Sequence, residues 1–279
     1  MSGIVKAEWL KLHKRPAIRS IVAIWLALVL LLGYLLPYLV FKNPPPGRVG
    51  ARFASAALLP RLLPTNLVHW FVPTLSSLGG TLILVLAALV GGSEFGWSTL
   101  TTILTQRPGR LSVFTGKLLA IAVLLVLFVV LGYVAAAIGS LIVALLQHAT
   151  VTWPPAADLA RSAGAMFLIF GAWTAFGLGL AVLFQGTALA IGLGLAYALV
   201  IDRLVAAFSS ISDIVKTVSQ GLLGTNASAL VDPFRAAAIG ESTGASAIAG
   251  PGQAAIVLGA YIVVFVVLAG ILLQRRDVT

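Results

Sequence analysis

Residues 162–201 read SAGAMFLIFGAWTAFGLGLAVLFQGTALAIGLGLAYALVI, and none of these forty residues is charged. A bilayer core about 30 Å thick is crossed by about 20 helical residues at 1.5 Å each. Forty are too many for one crossing, so the run must break. Phe184-Gln185-Gly186-Thr187 supplies a tight turn, because glycine and polar residues tolerate the dihedrals that a turn demands. The split gives spans at roughly 162–184 and 187–207. It decides the fold: with it the number of spans is even and both termini share a side, and without it they do not.

Four further apolar runs lie at about 18–41, 72–92, 117–147 and 254–274. The third is long enough to tilt or protrude. The expected fold is an all-α polytopic membrane protein with six transmembrane helices. Composition demands the same class: 60% of the 279 residues are hydrophobic and only 9% charged. A soluble surface could not be solvated by so few charges. The N-terminus is basic and then apolar like a signal peptide, but Ser20–Phe41 is uncharged and too long for a signal core, so it is expected to be a retained first span.

The formal charge is +10. In this class it points to anionic headgroups beside the spans, with no nucleic acid as partner. With both termini inside, segments 1–19, 93–117, 185–187 and 275–279 hold 10 Lys/Arg in 52 residues. Segments 42–71, 148–161 and 202–253 hold 8 in 96. That is the positive-inside bias of a cell-membrane protein with cytoplasmic termini. Lys42, Arg48, Arg52 and Arg61 in the first outer loop run against it. Within 208–253, the stretch ISDIVKTVSQGLLG (211–224) places Ile211, Ile214, Val215, Val218 and Leu222 on one helical face, which predicts a helical outer insertion before the last span.

Motifs for chemistry are few. There is no cysteine, and His13, His69 and His148 fall at separate membrane edges, where they are expected to anchor rather than to bind metal. No cofactor is expected. Gly109…Gly116-Lys117-Leu118 is too widely spaced for a phosphate loop and lacks the hydroxyl that would hold magnesium, so any ATP must be bound by another chain. Eight scattered acids support no catalytic carboxylate pair, and no enzyme activity is expected of this chain. Asp202 and Arg203 close the fifth span. About 15 residues from the inner turn they lie near the outer edge, and the expectation is that they end the span and snorkel outward. Two small-residue stripes, Ala188/Gly192/Ala196 and Ala190/Gly194/Ala198, permit close helix approach.

Between spans two and three stands GSEFGWSTLTTILTQRPGR (92–110). Trp97–Gln106 reads as a short helix with Trp97, Leu100, Ile103 and Leu104 on one stripe, ended by Pro108-Gly109. Such a helix fits a groove on a partner protein or rests on lipid.

The longer stretch GSEFGWSTLTTILTQRPGRLSVFTGKLLA resembles the cytoplasmic segment of type-2 ABC transporter permeases: an acid after the second span, a Gly/Thr segment, a Leu-rich turn with a Pro/Arg boundary, and Gly-Lys entering the third. The matching positions are Glu94, Thr99, Leu104, Pro108, Arg110, Gly116 and Lys117. IVKAEWLKLHKRP (4–16) is similar to the amphipathic elbow helix that opens this family, with Ile4, Val5, Trp9 and Leu12 beside Lys6, Lys11 and Lys14. The resemblance covers the whole chain by the order of its parts; the long basic first outer loop departs from it.

The resemblance implies a single permease domain: elbow 3–16, coupling segment 93–110, outer insertion 208–253. It implies an elbow carried by Glu8, Trp9, Lys11 and Leu12. A coupling helix would meet a soluble ABC ATPase through Glu94, Phe95, Trp97, Thr99, Leu100, Leu104 and Arg107. It also implies a second permease copy or sister permease. The nearly charge-free spans favour an amphiphilic or lipid-like cargo over small ions, and export is the expected direction. The alternative from another class is an ATP-independent channel or scaffold whose 94–107 helix lies on lipid.

Overall fold

The computed structural model describes residues 9–10, 12–44, 58–96, 110–208, 212–239 and 248–275, and no strand occurs among them. Among the described residues five helices are long and apolar enough to cross a membrane, and a shorter apolar one, Thr187–Ile201, accompanies them. The architecture is a membrane-embedded helical bundle.

Helix α1 is Pro16–Lys42. Proline at its first position has no N–H to waste there and carries the φ that helices need. At Leu31–Leu35 the helix widens into a π turn. The cause lies just beyond: Pro37 cannot donate to the Gly33 carbonyl four residues back, and its ring would crowd that carbonyl. The indole N–H of Trp70 donates to the Gly33 carbonyl instead, at 2.6 Å.

Helix α2, Leu67–Gly96, is entered through a 3-10 turn at Pro64–Asn66. It begins before the predicted residue 72 and carries Pro73 inside it. Polar Asn66 and His69 lower the local hydropathy, yet each has a partner that makes a helical start possible: Asn66 donates to the Pro60 carbonyl and His69 meets the Phe234 carbonyl.

Helix α3 is Arg110–Leu146. His148 is left-handed, and Ala149 N donates to the Ala144 carbonyl at 3.0 Å, while His148 N reaches the Leu145 carbonyl at 3.3 Å. This is a Schellman stop, so His148 terminates a helix rather than simply meeting headgroups.

Helix α4 is Ala156–Phe184. It starts six residues earlier than the hydropathy run, directly after Pro154-Pro155 and with Asp158 in its first turn, where the helix dipole favours an acid. It ends at left-handed Gln185, Gly186 is extended, and α5 (Thr187–Ile201) begins at once. The last five residues of α5 form a second π turn, and the helix runs on through Asp202–Phe208. Then come α6 (Asp213–Gln220), α7 (Leu223–Ile239) and α8 (Pro251–Arg275).

Every residue from Ile169 to Val182 on α4 is buried, which places α4 at the centre, packed on α2 and α8. A helix apolar on all sides wants such a place. Glycines let backbones touch: a Cβ on Gly177 would lie 2.6 Å from the Leu84 carbonyl oxygen, and one on Gly80 would lie 2.5 Å from the Trp173 ring. Trp25 of α1 stacks on Phe128 of α3, with Phe170 and Phe71 against its other sides. Around this core the outward faces stay apolar. Leu119, Val123, Val130, Val134, Ile138 and Ile142 make a continuous exposed stripe along α3. Lipid solvates such a stripe and water does not.

Two ends can be told apart. Arg15, Ser93, Lys117, Gln185 and Thr187 belong to one, the Arg15 end. Tyr38 and Gln147, joined at 2.8 Å, belong to the other, together with Thr65, whose hydroxyl donates to the Thr152 carbonyl at 3.2 Å.

Candidate functional site

The described members of the predicted site set fall at the Arg15 end. Glu94 and Phe95 stand in the last turn of α2. Trp97, Thr99, Leu100, Leu104 and Arg107 lie outside the described residues, as does the predicted Trp97–Gln106 helix. Of the elbow set, Glu8 and Lys11 also lie outside. Trp9 packs half-buried on the core and Leu12 is buried. Both of these side chains contact the core of the bundle.

Around the base of the 97–109 connection, the ends of all the other long helices converge. Before α1, Arg15 Nη1 donates to Ser93 Oγ at 2.7 Å, one residue from Glu94. From α5, Thr187 closes on Gly92: a Cβ there would lie 2.7 Å from Thr187 Cα and 2.8 Å from its N. From α4, Leu178 and Ala181 crowd Gly91 in the same way, at 2.7 and 3.1 Å. From α8, Gly270 faces the Phe114 ring, at 3.4 Å for an added Cβ. Lys117, on the first turns of α3, is buried beside them. The end of α2 and the start of α3 thus stand at a junction that touches α1, α4, α5 and α8.

The Gly92 contact is against the backbone of Thr187, so it cannot yield by rotating a flexible tip. A displacement of the α2 end must carry Thr187, and through it α5. The arrangement suits the transmission of force rather than covalent chemistry. Among the described residues no group of three His, Asp or Glu side chains is placed to hold a metal ion.

A second polar concentration lies across the bundle, where α5 meets α6 and α7, and it corrects the expectation for Asp202. The side chain does not snorkel outward. It is buried, and its Oδ1 accepts from Thr225 N at 3.3 Å, in the first turn of α7. The free N–H groups and positive end of a helix are a better partner than a headgroup layer. Gly224 leaves room for the carboxylate: any Cβ there would collide with Asp202 Oδ2. Nor does Asp202 end the span, since the helix continues to Phe208.

Tyr197 Oη accepts from Leu223 N at 2.9 Å, and Tyr261 Oη donates to the Gly221 carbonyl at 2.9 Å. Asn226 Nδ2 donates to the carbonyls of Gln220 and Leu222, both at 2.7 Å. The α6–α7 turn is therefore pinned to α5 and α8. At the other end of α7, His69 Nδ1 donates to the Phe234 carbonyl at 3.0 Å and Arg235 Nη2 donates to the Pro73 carbonyl at 3.2 Å. His69 ties two helices together, a role that its lone position in the sequence does not announce. On α6 the apolar face points away from the protein, with Ile214 and Val218 exposed and Ser219 buried.

The small-residue stripes divide between the two faces of α5. Ala190, Gly194 and Ala198 are buried, with Gly194 against Leu84, while Ala188, Gly192 and Ala196 face outward.

No protein-family model matches the chain, and no curated protein matches it.

Proposed function

We propose that the chain is the membrane-spanning permease subunit of an ATP-driven type-2 ABC transporter, exporting an amphiphilic or lipid-like substrate. ATP is hydrolysed by a separate partner subunit. The observation that carries this reading is the junction at the base of the 97–109 connection, where Arg15 binds Ser93 and Thr187 seats on Gly92.

On this reading the chain crosses the membrane six times, α5 with its extension to Phe208 being the fifth crossing. The Arg15 end is cytoplasmic, residues 3–16 form the elbow, and 97–106 form a helix seated in a groove of the ATPase. Closure of two ATPases on ATP pushes this helix. The push reaches α2 and α3 directly, α1 through Arg15–Ser93, and α5 through Gly92–Thr187. Two permease copies, or one with a sister chain, alternate access between them.

Leu100 and Leu104 supply the contact area in the groove, each leucine contributing roughly 1.5–3 kcal/mol when fully buried. Glu94 and Arg107 complement the dipoles at the two ends of the coupling segment.

The test is a quantified pull-down of the ATPase on the Leu100→Asp, Leu104→Asp double variant. Loss of the ATPase at unchanged membrane insertion is expected. Undiminished recovery overturns the coupling assignment and leaves the segment resting on lipid, as in a channel or scaffold.

A further inference from the structure

The side wall of the bundle between α1 and α3 holds a groove of about 380 Å³, within the range of roughly 300–1,000 Å³ that small ligands occupy. Its body is aliphatic, with Val22 and Leu26 from α1 and Leu124 and Leu131 from α3. From Ile18 to Leu26 the α1 wall runs about 12 Å at the helical rise. The polar lining is His13 and Arg19. Arg19 is exposed, and its Nε donates to the His13 carbonyl at 2.9 Å, which fixes the guanidinium at the mouth. Lys14, next in the chain, is exposed too, and among the described residues no acid lines the groove.

We infer that this groove seats an acyl chain of an anionic phospholipid, with the lipid phosphate paired to Arg19. The order of chemistry along the groove is that of the lipid itself: hydrocarbon walls, then a cation at the depth where a span begins. α1 and α3 are both long and apolar enough to cross a membrane, so a groove between them opens sideways onto acyl chains. A planar guanidinium pairs with phosphate through two parallel N–H donors. A zwitterionic headgroup also brings an ammonium to this cationic mouth and is disfavoured there. A helix from a protein partner fills the aliphatic body but leaves the guanidinium without an anion. The site is independent of the transport reading.

Full-length protein is reconstituted in mixed phosphatidylcholine–phosphatidylglycerol vesicles and re-extracted in mild detergent. Native mass spectrometry then counts the retained lipids. Phosphatidylglycerol is expected to be retained in preference to phosphatidylcholine. Arg19→Gln should weaken that retention about fivefold, the effect of one basic side chain at an anionic surface, whereas Arg19→Lys retains most of it. Ala23→Phe, at an exposed position on the groove wall, should abolish it while leaving elution on gel filtration unchanged. Equal retention of the two lipids, or undiminished phosphatidylglycerol in both Arg19→Gln and Ala23→Phe, overturns the proposal. So does retention that arises only after deletion of residues 2–8, because the groove then belongs to the chain's own N-terminus.

Discussion

Trp25 stacks on Phe128 with ring centroids 4.9 Å apart, and its indole N–H donates to the Phe128 carbonyl at 3.1 Å. The pair joins α1 to α3 in the middle of the bundle, where Trp25 is fully buried. Trp25→Phe keeps a ring and loses one hydrogen bond, a cost of about 1 kcal/mol. Trp25→Ala opens a cavity and should cost about 3–5 kcal/mol. Thermal unfolding in detergent, followed by gel-filtration fluorescence, should rank wild type above Trp25→Phe and Trp25→Phe well above Trp25→Ala. Equal midpoints for the two variants would show that α1 is not seated on α3 through this ring.

The buried carboxylate of Asp202 makes a different prediction. Asp202→Asn retains an acceptor oxygen for Thr225 N and should lower stability only slightly. Asp202→Ala leaves the start of α7 without that acceptor and should cost about 1–3 kcal/mol. Gly224→Ala should be at least as harmful, since its methyl occupies the place of Asp202 Oδ2. The same thermal assay reads all three. A stable Gly224→Ala protein would mean that α7 is not held by this carboxylate.

Under the proposed function, Gly92 and Ser93 govern coupling rather than assembly. Ser93→Ala removes the acceptor of Arg15 at a half-buried site, and Gly92→Ala forces Thr187 away through its backbone. Both variants should still bind the ATPase, yet lose most transport-linked ATP hydrolysis. Glu94→Ala should behave alike, with expression unchanged. Normal hydrolysis in all three would place the transmission path elsewhere.

Because the chain has no native cysteine, single substitutions report their surroundings cleanly. A cysteine at position 2 should resist an impermeant maleimide in intact cells, as a cytoplasmic N-terminus requires. On α6, Thr217→Cys should label from outside, while Ile214→Cys and Val218→Cys, on the exposed apolar face, should be shielded by lipid. Labelling at position 2, or uniform labelling along α6, would remove respectively the topology and the interfacial placement of α6.

What could be read in the sequence was what is local. The turn at Gln185-Gly186 announces itself because a charge-free run of that length has to break, and glycine marks where. Hydropathy located the long helices but not their ends. The starts of α2 and α4 are polar, and their partners sit far away in the chain, as with His69 and Phe234. The burial of Asp202 has the same origin. Depth along a helix can be counted from spacing, but a donor at Thr225 cannot. The two faces of α5 were indistinguishable as strings of small residues; only packing against Leu84 separates them. Of the predicted coupling set, only Glu94 and Phe95 fall within the described residues.

The last helix, α8, has a consequence for how the protein is made. Little of its apolar surface is buried, and it meets α4 by shape: Ile262 seats against Gly171 and Phe265 against Gly179. Those notches belong to a helix synthesised long before α8 leaves the ribosome. Until then the two glycine notches on α4 lack the side chains that fill them. Packing of the central helix is thus completed last, when the residues from Pro251 onward take their places against α4.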